Sequence, residues 1–398
     1  MQSTEFTLSR SSARTLTLAA HAAFWPIGIV TVLLSPLLPT LSARWSLSYS
    51  EAGALFTAQF LASTIAVAFS GWLITRWGFR FAMSAGLVVI AASVILLLAG
   101  SRVLGYICIA GYGSGLGFAV PAANLLVAEV NPARRSAALN LLNFSWSVGA
   151  VACPFLVAAA AKAKHIPFLL ALVAGFCLLV AIGIAVMPSS IEEPRAADSK
   201  TDAFPIDWKR RSLPVLLALF FLYVGTENAF GGWVASYATS LRTMSLAMAV
   251  MTPSFFYVAL MIGRWLATFL LRKIHDLPMA KSGLVLACAG MAGLMASHSL
   301  LGVAVSASIA GLGLSSVYPI TISFLSREFG PNASRVGSVA FSVANIGGAS
   351  MPWLVGVFSG HFGGLKVGLA VPLMGSAVMY LLYGADWHSV DAPQHEAV

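Results

Sequence analysis

Charge is what this chain has least of. Only 9% of its 398 residues are charged, where a soluble domain carries about 25%, and 59% are hydrophobic. That balance excludes a soluble globule and predicts an integral membrane protein. Acids are scarcer than bases, 14 Asp and Glu against 23 Lys and Arg, for a formal net charge of +9. The excess does not point to nucleic acid, because the basic residues are scattered among loops rather than gathered on one face. Cysteine is scarce as well. Cys108, Cys153, Cys177 and Cys288 all fall inside apolar stretches with no ligand spacing, which excludes a disulfide framework and a cysteine-built metal site. Also missing are a nucleophile beside a base, a phosphate-cradling glycine loop and an ATP-binding segment, so neither a membrane enzyme nor an ATP-driven pump is expected. The scattered polar residues do not suggest the carbonyl or charged rings of a channel.

What is present in quantity is apolar run after apolar run. Each is about 20 residues or more, enough to cross a roughly 30 Å hydrocarbon core as a helix. Twelve are predicted, near 17–42, 51–75, 80–99, 103–130, 136–160, 166–187, 213–241, 247–272, 279–298, 299–326, 334–359 and 364–384. The first is too long and wrongly flanked for a cleaved signal, and is expected to be a span. With the N-terminus inside, most basic residues fall on the cytoplasmic side, so both termini are expected in the cytoplasm of a multi-pass protein of the cytoplasmic (inner) membrane. The expected fold is all-α, with twelve transmembrane helices in two six-helix bundles, residues 1–187 and 213–385. A cytoplasmic linker, 188–212, holds the basic cluster Lys209-Arg210-Arg211, and a polar tail follows at 386–398.

The two halves repeat one another. Gly115 to Pro154 returns about 198 positions later as Gly313 to Pro352, laying Pro121 on Pro319, Gly149 on Gly347 and Pro154 on Pro352. Halves of like orientation are related by a pseudo-two-fold axis along the bilayer normal, and transporters rock such halves about a central site. Small residues recur at close-packing intervals in the fourth and tenth spans, among them Gly113, Gly115, Gly311 and Gly313.

Ionisable side chains in mid-membrane cost roughly 2.5–3.5 kcal/mol on insertion scales, and mark function unless paired for structure. Glu227 is the acid placed deepest. Fourteen residues into the seventh span, it lies roughly 21 Å from the cytoplasmic edge at about 1.5 Å per residue. It is expected to carry the coupling ion, H+ or Na+; the structural alternative is a neutral carboxyl or a pair with Arg264 in the eighth span. The other polar groups in spans are mostly amides, which offer the donors and acceptors that sugar hydroxyls require. Gln59, Asn124, Asn143, Asn228 and Asn345, with the aromatic residues Trp146, Trp233, Tyr257 and Trp353, are the expected substrate-binding set. Each amide taken singly reads first as an interhelical hydrogen bond, and the cluster rather than any one of them points to a solute. His21 and Trp25 share a face of the first span.

One short loop carries a resemblance. GWLITRWGFR, Gly71 to Arg80, resembles the Gly-x-Leu-x-Asp-Arg-x-Gly-Arg/Lys-Arg/Lys signature of the major facilitator superfamily, with Gly71, Leu73, Arg76, Gly78 and Arg80 in place. NLLVAEVNPARRSAALNLLNFSWSVGA and FFLYVGTENAFGGWVASY are similar to its fucose permease and sodium-dependent glucose transporter branch. The resemblance implies a secondary transporter working by alternating access. It also implies gating roles for Arg76 and Arg80. Thr75 stands where the family has an Asp that ties the cytoplasmic ends of the halves, so the inner gate needs another latch. Glu129 with Arg134 or Arg135, and Arg327 with Glu328, are the candidates, and Arg264 is expected to be structural or gating. Fucose permeases carry acids where this chain has Val120 and Ser35, so coupling through those sites does not carry over.

The expected function is transport of a neutral small solute, a monosaccharide first, coupled to H+ or Na+. The rival reading is a proton-coupled efflux antiporter for amphipathic drugs. No cofactor is expected, and the expected partners are the solute and membrane lipid, with the chain acting as a monomer.

Overall fold

The computed structural model describes residues 10–97, 99, 101–132, 135–188, 210, 212–271 and 273–384. Most of the expected linker and the expected tail lie outside these residues. Fifteen α-helices account for the spans, and there is no strand among the described residues. In order they are α1 (Arg10–Val32), α2 (Leu34–Trp45), α3 (Tyr49–Leu96), α4 (Arg102–Val130), α5 (Arg135–Ala163), α6 (Ile166–Ala185), α7 (Ser212–Ser240), α8 (Leu246–Val250), α9 (Thr252–Leu270), α10 (Asp276–Ala296), α11 (Leu300–Leu314), α12 (Val317–Phe329), α13 (Ala333–His361), α14 (Leu365–Gly368) and α15 (Ala370–Leu382).

Eleven of the helical stretches are long and apolar enough to cross a membrane. The twelfth span is hidden in α3, whose 48 residues would extend about 72 Å at 1.5 Å per residue, over twice a hydrocarbon core. The chain breaks at Gly78, where φ is 87° and ψ 170°, a conformation in which a Cβ is strained. The signature glycine is therefore the joint between the second and third spans. Spans one, eight, ten and twelve are each made of two helices, joined at Leu33, Met251, Ser315–Ser316 and Leu369 respectively. The matching prolines behave differently: span ten divides just before Pro319, whereas α4 runs on through Pro121.

The chain forms two compact units. Unit 1 gathers 1–47, 55–198 and 245–254; unit 2 gathers 48–54, 199–244 and 255–398. Each thus contains a short segment from the start of a span that otherwise belongs to the other. In unit 1, Ser254 donates its hydroxyl to the Val151 carbonyl of α5 at 3.1 Å. In unit 2, the Tyr49 ring lies 6.4 Å from that of Trp233. The repeat extends to the helix starts. Ser48 accepts from the Glu51 amide at 3.3 Å and Ser245 from the Met248 amide at 3.3 Å; Ser101 accepts from Leu104 at 3.4 Å and Ser299 from Gly302 at 3.2 Å. These hydroxyls satisfy amides that the helix cannot. Glu51 reaches back to the Ser48 amide at 2.8 Å, completing a capping box.

Each unit is drawn together at the same crossing. A Cβ on Gly28 or Gly149 would run into the α5 or α1 backbone, and one on Gly347 into the α7 backbone, at separations no real Cβ shows, while one on Gly225 would meet the Met351 side chain of α13. With lipid as apolar as the helices, this backbone approach is what helix association depends on.

Candidate functional site

Glu227 is the sixteenth of the 29 residues of α7, near its middle. Tyr223 and Phe220 precede it by four and seven residues and so share its face of the helix. From α9, Arg264 brings its Nη2 to 3.9 Å from Glu227 Oε1 and donates to the Tyr223 hydroxyl at 3.5 Å. From the first turn of α12, released by the break at Ser315–Ser316, Tyr318 stacks on Tyr223 with centroids 5.0 Å apart and planes 27° from parallel. Phe220 meets Tyr318 edge-on at 5.8 Å and Phe341 of α13 at 5.7 Å. Tyr223 is fully buried, while the Glu227 and Arg264 side chains are 14% and 29% exposed.

The cluster is a loose ion pair on an aromatic floor. At 3.9 Å the charges attract without closing a short bidentate bond, so little geometry must be undone to separate them. Charge at this depth is costly in hydrocarbon, and each partner offsets the other. The cluster has no counterpart in unit 1. At an offset of 197 or 198 the repeat lays Glu227 on Val30 or Ile29, Arg264 on Val67 or Ala66, and, at 198, Tyr318 on Val120, none of them ionisable.

The expected substrate-binding residues divide between the units. In unit 1, Gln59 is buried; it accepts from Tyr112 Oη at 3.0 Å and donates to the Thr31 carbonyl at 3.3 Å. Trp146 is partly exposed, with its indole N–H on Thr31 Oγ1 at 3.3 Å. Asn124 is partly exposed and Asn143 exposed. In unit 2, Trp233 is 1% exposed and donates to the Pro352 carbonyl at 2.9 Å, and Tyr257 is buried beside Phe256. Asn228 and Asn345 are partly exposed, and Trp353 is 41% exposed. Asn124, Asn143 and Asn228 each turn an amide N–H back to the carbonyl four residues earlier, at 2.9, 2.9 and 2.8 Å.

Among the described residues, the expected gating residues Arg327 and Glu328 each have a partner on another segment. Arg327 pairs with Asp276 at the start of α10, and Glu328 pairs with Arg210 Nε at 3.2 Å while accepting from Ser212 Oγ at 2.7 Å. Neighbours on a helix point about 100° apart, so each finds its own partner. Arg80 donates to the carbonyls of Ile184, at 3.3 and 3.4 Å, and of Met187 and Pro188, capping the end of α6 with a cation. Arg76 and Thr75 are exposed, the Thr75 hydroxyl bonding the Trp72 carbonyl at 3.0 Å. Glu129 is exposed; Arg134 and the Arg135 side chain lie outside the described residues. Sequence reasoning missed Tyr223 and Tyr318. The first was available as the residue one turn before Glu227, whereas the second required knowing that α12 starts afresh beside α7.

The chain is 24% identical over 364 residues to the glucose/galactose transporter of Brucella abortus, covering 85% of this chain and 86% of that protein. It is 23% identical over 405 residues to sodium-dependent glucose transporter 1A of Mus musculus, covering 90% and 92%. The crystal structure of a D-xylose-proton symporter superposes with a TM-score of 0.77 at 16% identity, covering 97% of this chain and 99% of that one, which establishes the shared fold. The family model described as Major Facilitator Superfamily matches residues 20–352, most of the chain, and the protein is therefore a membrane transporter belonging to the major facilitator superfamily.

Proposed function

We propose that this transporter moves a neutral monosaccharide across the cytoplasmic membrane by alternating access, coupled to H+ or Na+ at Glu227, with both termini in the cytoplasm. The observation that carries the reading is the mid-span carboxylate held 3.9 Å from Arg264, close enough to be stabilised and loose enough to exchange partners. The named activities of the glucose and glucose/galactose relatives support the substrate class. The accessible amides Asn124, Asn143, Asn228 and Asn345, with Trp146 and Trp353, supply hydroxyl partners and apolar faces. Gln59, Trp233 and Tyr257 complete the proposed substrate-binding set from buried positions. Arg80, Arg327 and Glu328 fasten the cytoplasmic helix ends within each unit, and Arg76 and Glu129 complete the gate.

The test is uptake of a panel of labelled monosaccharides into proteoliposomes under an imposed pH or Na+ gradient. Accumulation under one gradient identifies both ion and sugar. No accumulation under either, in folded protein, rejects the proposal and favours efflux of amphipathic compounds.

A further inference from the structure

Thr31 ties together four helices of unit 1, and each bond it makes can run in one direction only. Its hydroxyl donates to the Ile27 carbonyl one turn earlier at 2.7 Å, because a carbonyl only accepts. That leaves Oγ1 as the acceptor for the indole of Trp146 on α5, which only donates and reaches it at 3.3 Å. The Thr31 carbonyl accepts in turn from Gln59 Nε2 of α3 at 3.3 Å, and Gln59 Oε1 accepts from the Tyr112 hydroxyl of α4 at 3.0 Å.

The backbones hold this chain of bonds in register. Gly28, three residues before Thr31 and on the same face of α1, has no room for a Cβ against the Trp146 carbonyl. Gly113, beside Tyr112, has none against the backbone of Gln59. α1 therefore meets α5, and α3 meets α4, main chain to main chain at the bonded residues themselves.

Trp146 is partly exposed, and Asn143, one turn earlier on the same face of α5, is exposed. With its single N–H turned inward to Thr31, the indole has only its ring to offer a solute. The apolar C–H face of a pyranose suits that ring, by contact rather than by a hydrogen bond. Resting on the reading that the solute is a monosaccharide, we infer that Thr31 is a positioning residue, which fixes the Trp146 ring as a stacking surface for the sugar. A ring ordered before the sugar arrives spares binding the cost of ordering it, which is worth about two- to tenfold in affinity.

The test uses full-length protein, with Thr31→Val removing the hydroxyl at nearly constant shape and Thr31→Ser keeping it. In nanodiscs, NMR of the indole N–H groups reads the bond without any sugar, the Trp146 signal being the one that Trp146→Phe loses. Thr31→Val is expected to shift that signal and speed its exchange with deuterium about fivefold, with Thr31→Ser near wild type. In proteoliposomes, counterflow of labelled D-glucose, D-galactose and D-xylose reads the role. Thr31→Val is expected to raise KM about two- to tenfold, with the maximal rate within about twofold of wild type. Thr31→Ser should transport as wild type, and so should Thr64→Val, which loses another hydroxyl bonded to the carbonyl four residues earlier. Elution as a single monodisperse species confirms that each variant is folded. An unmoved Trp146 signal in Thr31→Val overturns the bond. A moved signal with unchanged KM, or an equal rise of KM in Thr64→Val, overturns the positioning role alone. No counterflow of any of the three sugars by wild type rejects the sugar reading and this role with it. Counterflow needs no ion gradient, so none of these outcomes depends on the role given to Glu227.

Discussion

Replacing Gly347 with alanine should loosen unit 2 at its tightest crossing. An added Cβ would sit 2.8 Å from the Phe221 carbonyl carbon and 3.1 Å from its Cα, with the carbonyl oxygen closer still, whereas ordinary contact begins at 3.4 Å. The obstacle is backbone, so no side chain can swing aside, and α7 and α13 must part by about 1 Å. A gap of that size forfeits a quarter to a half of the dispersion energy of the atoms facing it. Over-packing of this kind costs about 1–3 kcal/mol, and in lipid no hydrophobic term between helices compensates. Gly175 on α6 is the control, because a Cβ there meets nothing within 4 Å. Gly175→Ala should be neutral or gain up to about 1 kcal/mol of helix propensity. The assay is thermal loss of the monodisperse peak in detergent, with Gly347→Ala expected several degrees below wild type. A Gly347→Ala variant as stable as wild type, or a Gly175→Ala variant equally destabilised, would refute the crossing argument.

Two further changes test local devices. Arg80→Ala removes the cation from the Ile184, Met187 and Pro188 carbonyls at the end of α6 and should cost about 1–2 kcal/mol, seen in the same melting assay, with Arg80→Lys intermediate. Ser48→Ala dismantles the capping box at the start of α3 and should cost about 1 kcal/mol; an unchanged midpoint would mean water serves that helix end equally well.

The fold was largely legible because lipid imposes a coarse code, an apolar run for each crossing, and because the second half restates the first. Gly78 could be read as a motif residue, although only its positive φ explains why that position joins two spans that otherwise merge into one helix. The short segments 48–54 and 245–254 were not legible as members of the opposite units, since helix propensity carries no information about which bundle a helix end packs in. Glu227 stood out because one acid among apolar residues is conspicuous. Its surroundings did not, because Arg264 and Tyr318 come from distant spans. Trp233 and Gln59 show the opposite difficulty. A polar or aromatic residue in a span looks the same in sequence whether it faces a solute or, as Trp233 does, a backbone carbonyl of the neighbouring helix.

The proposed link between ion movement and solute movement at Glu227 is tested by Glu227→Gln, which changes the shape of the side chain little. In proteoliposomes the variant should lose gradient-driven accumulation of the transported monosaccharide while still exchanging labelled for unlabelled sugar in counterflow. Accumulation at the wild-type level would contradict the claim and reduce the Glu227–Arg264 pair to a structural tie between α7 and α9.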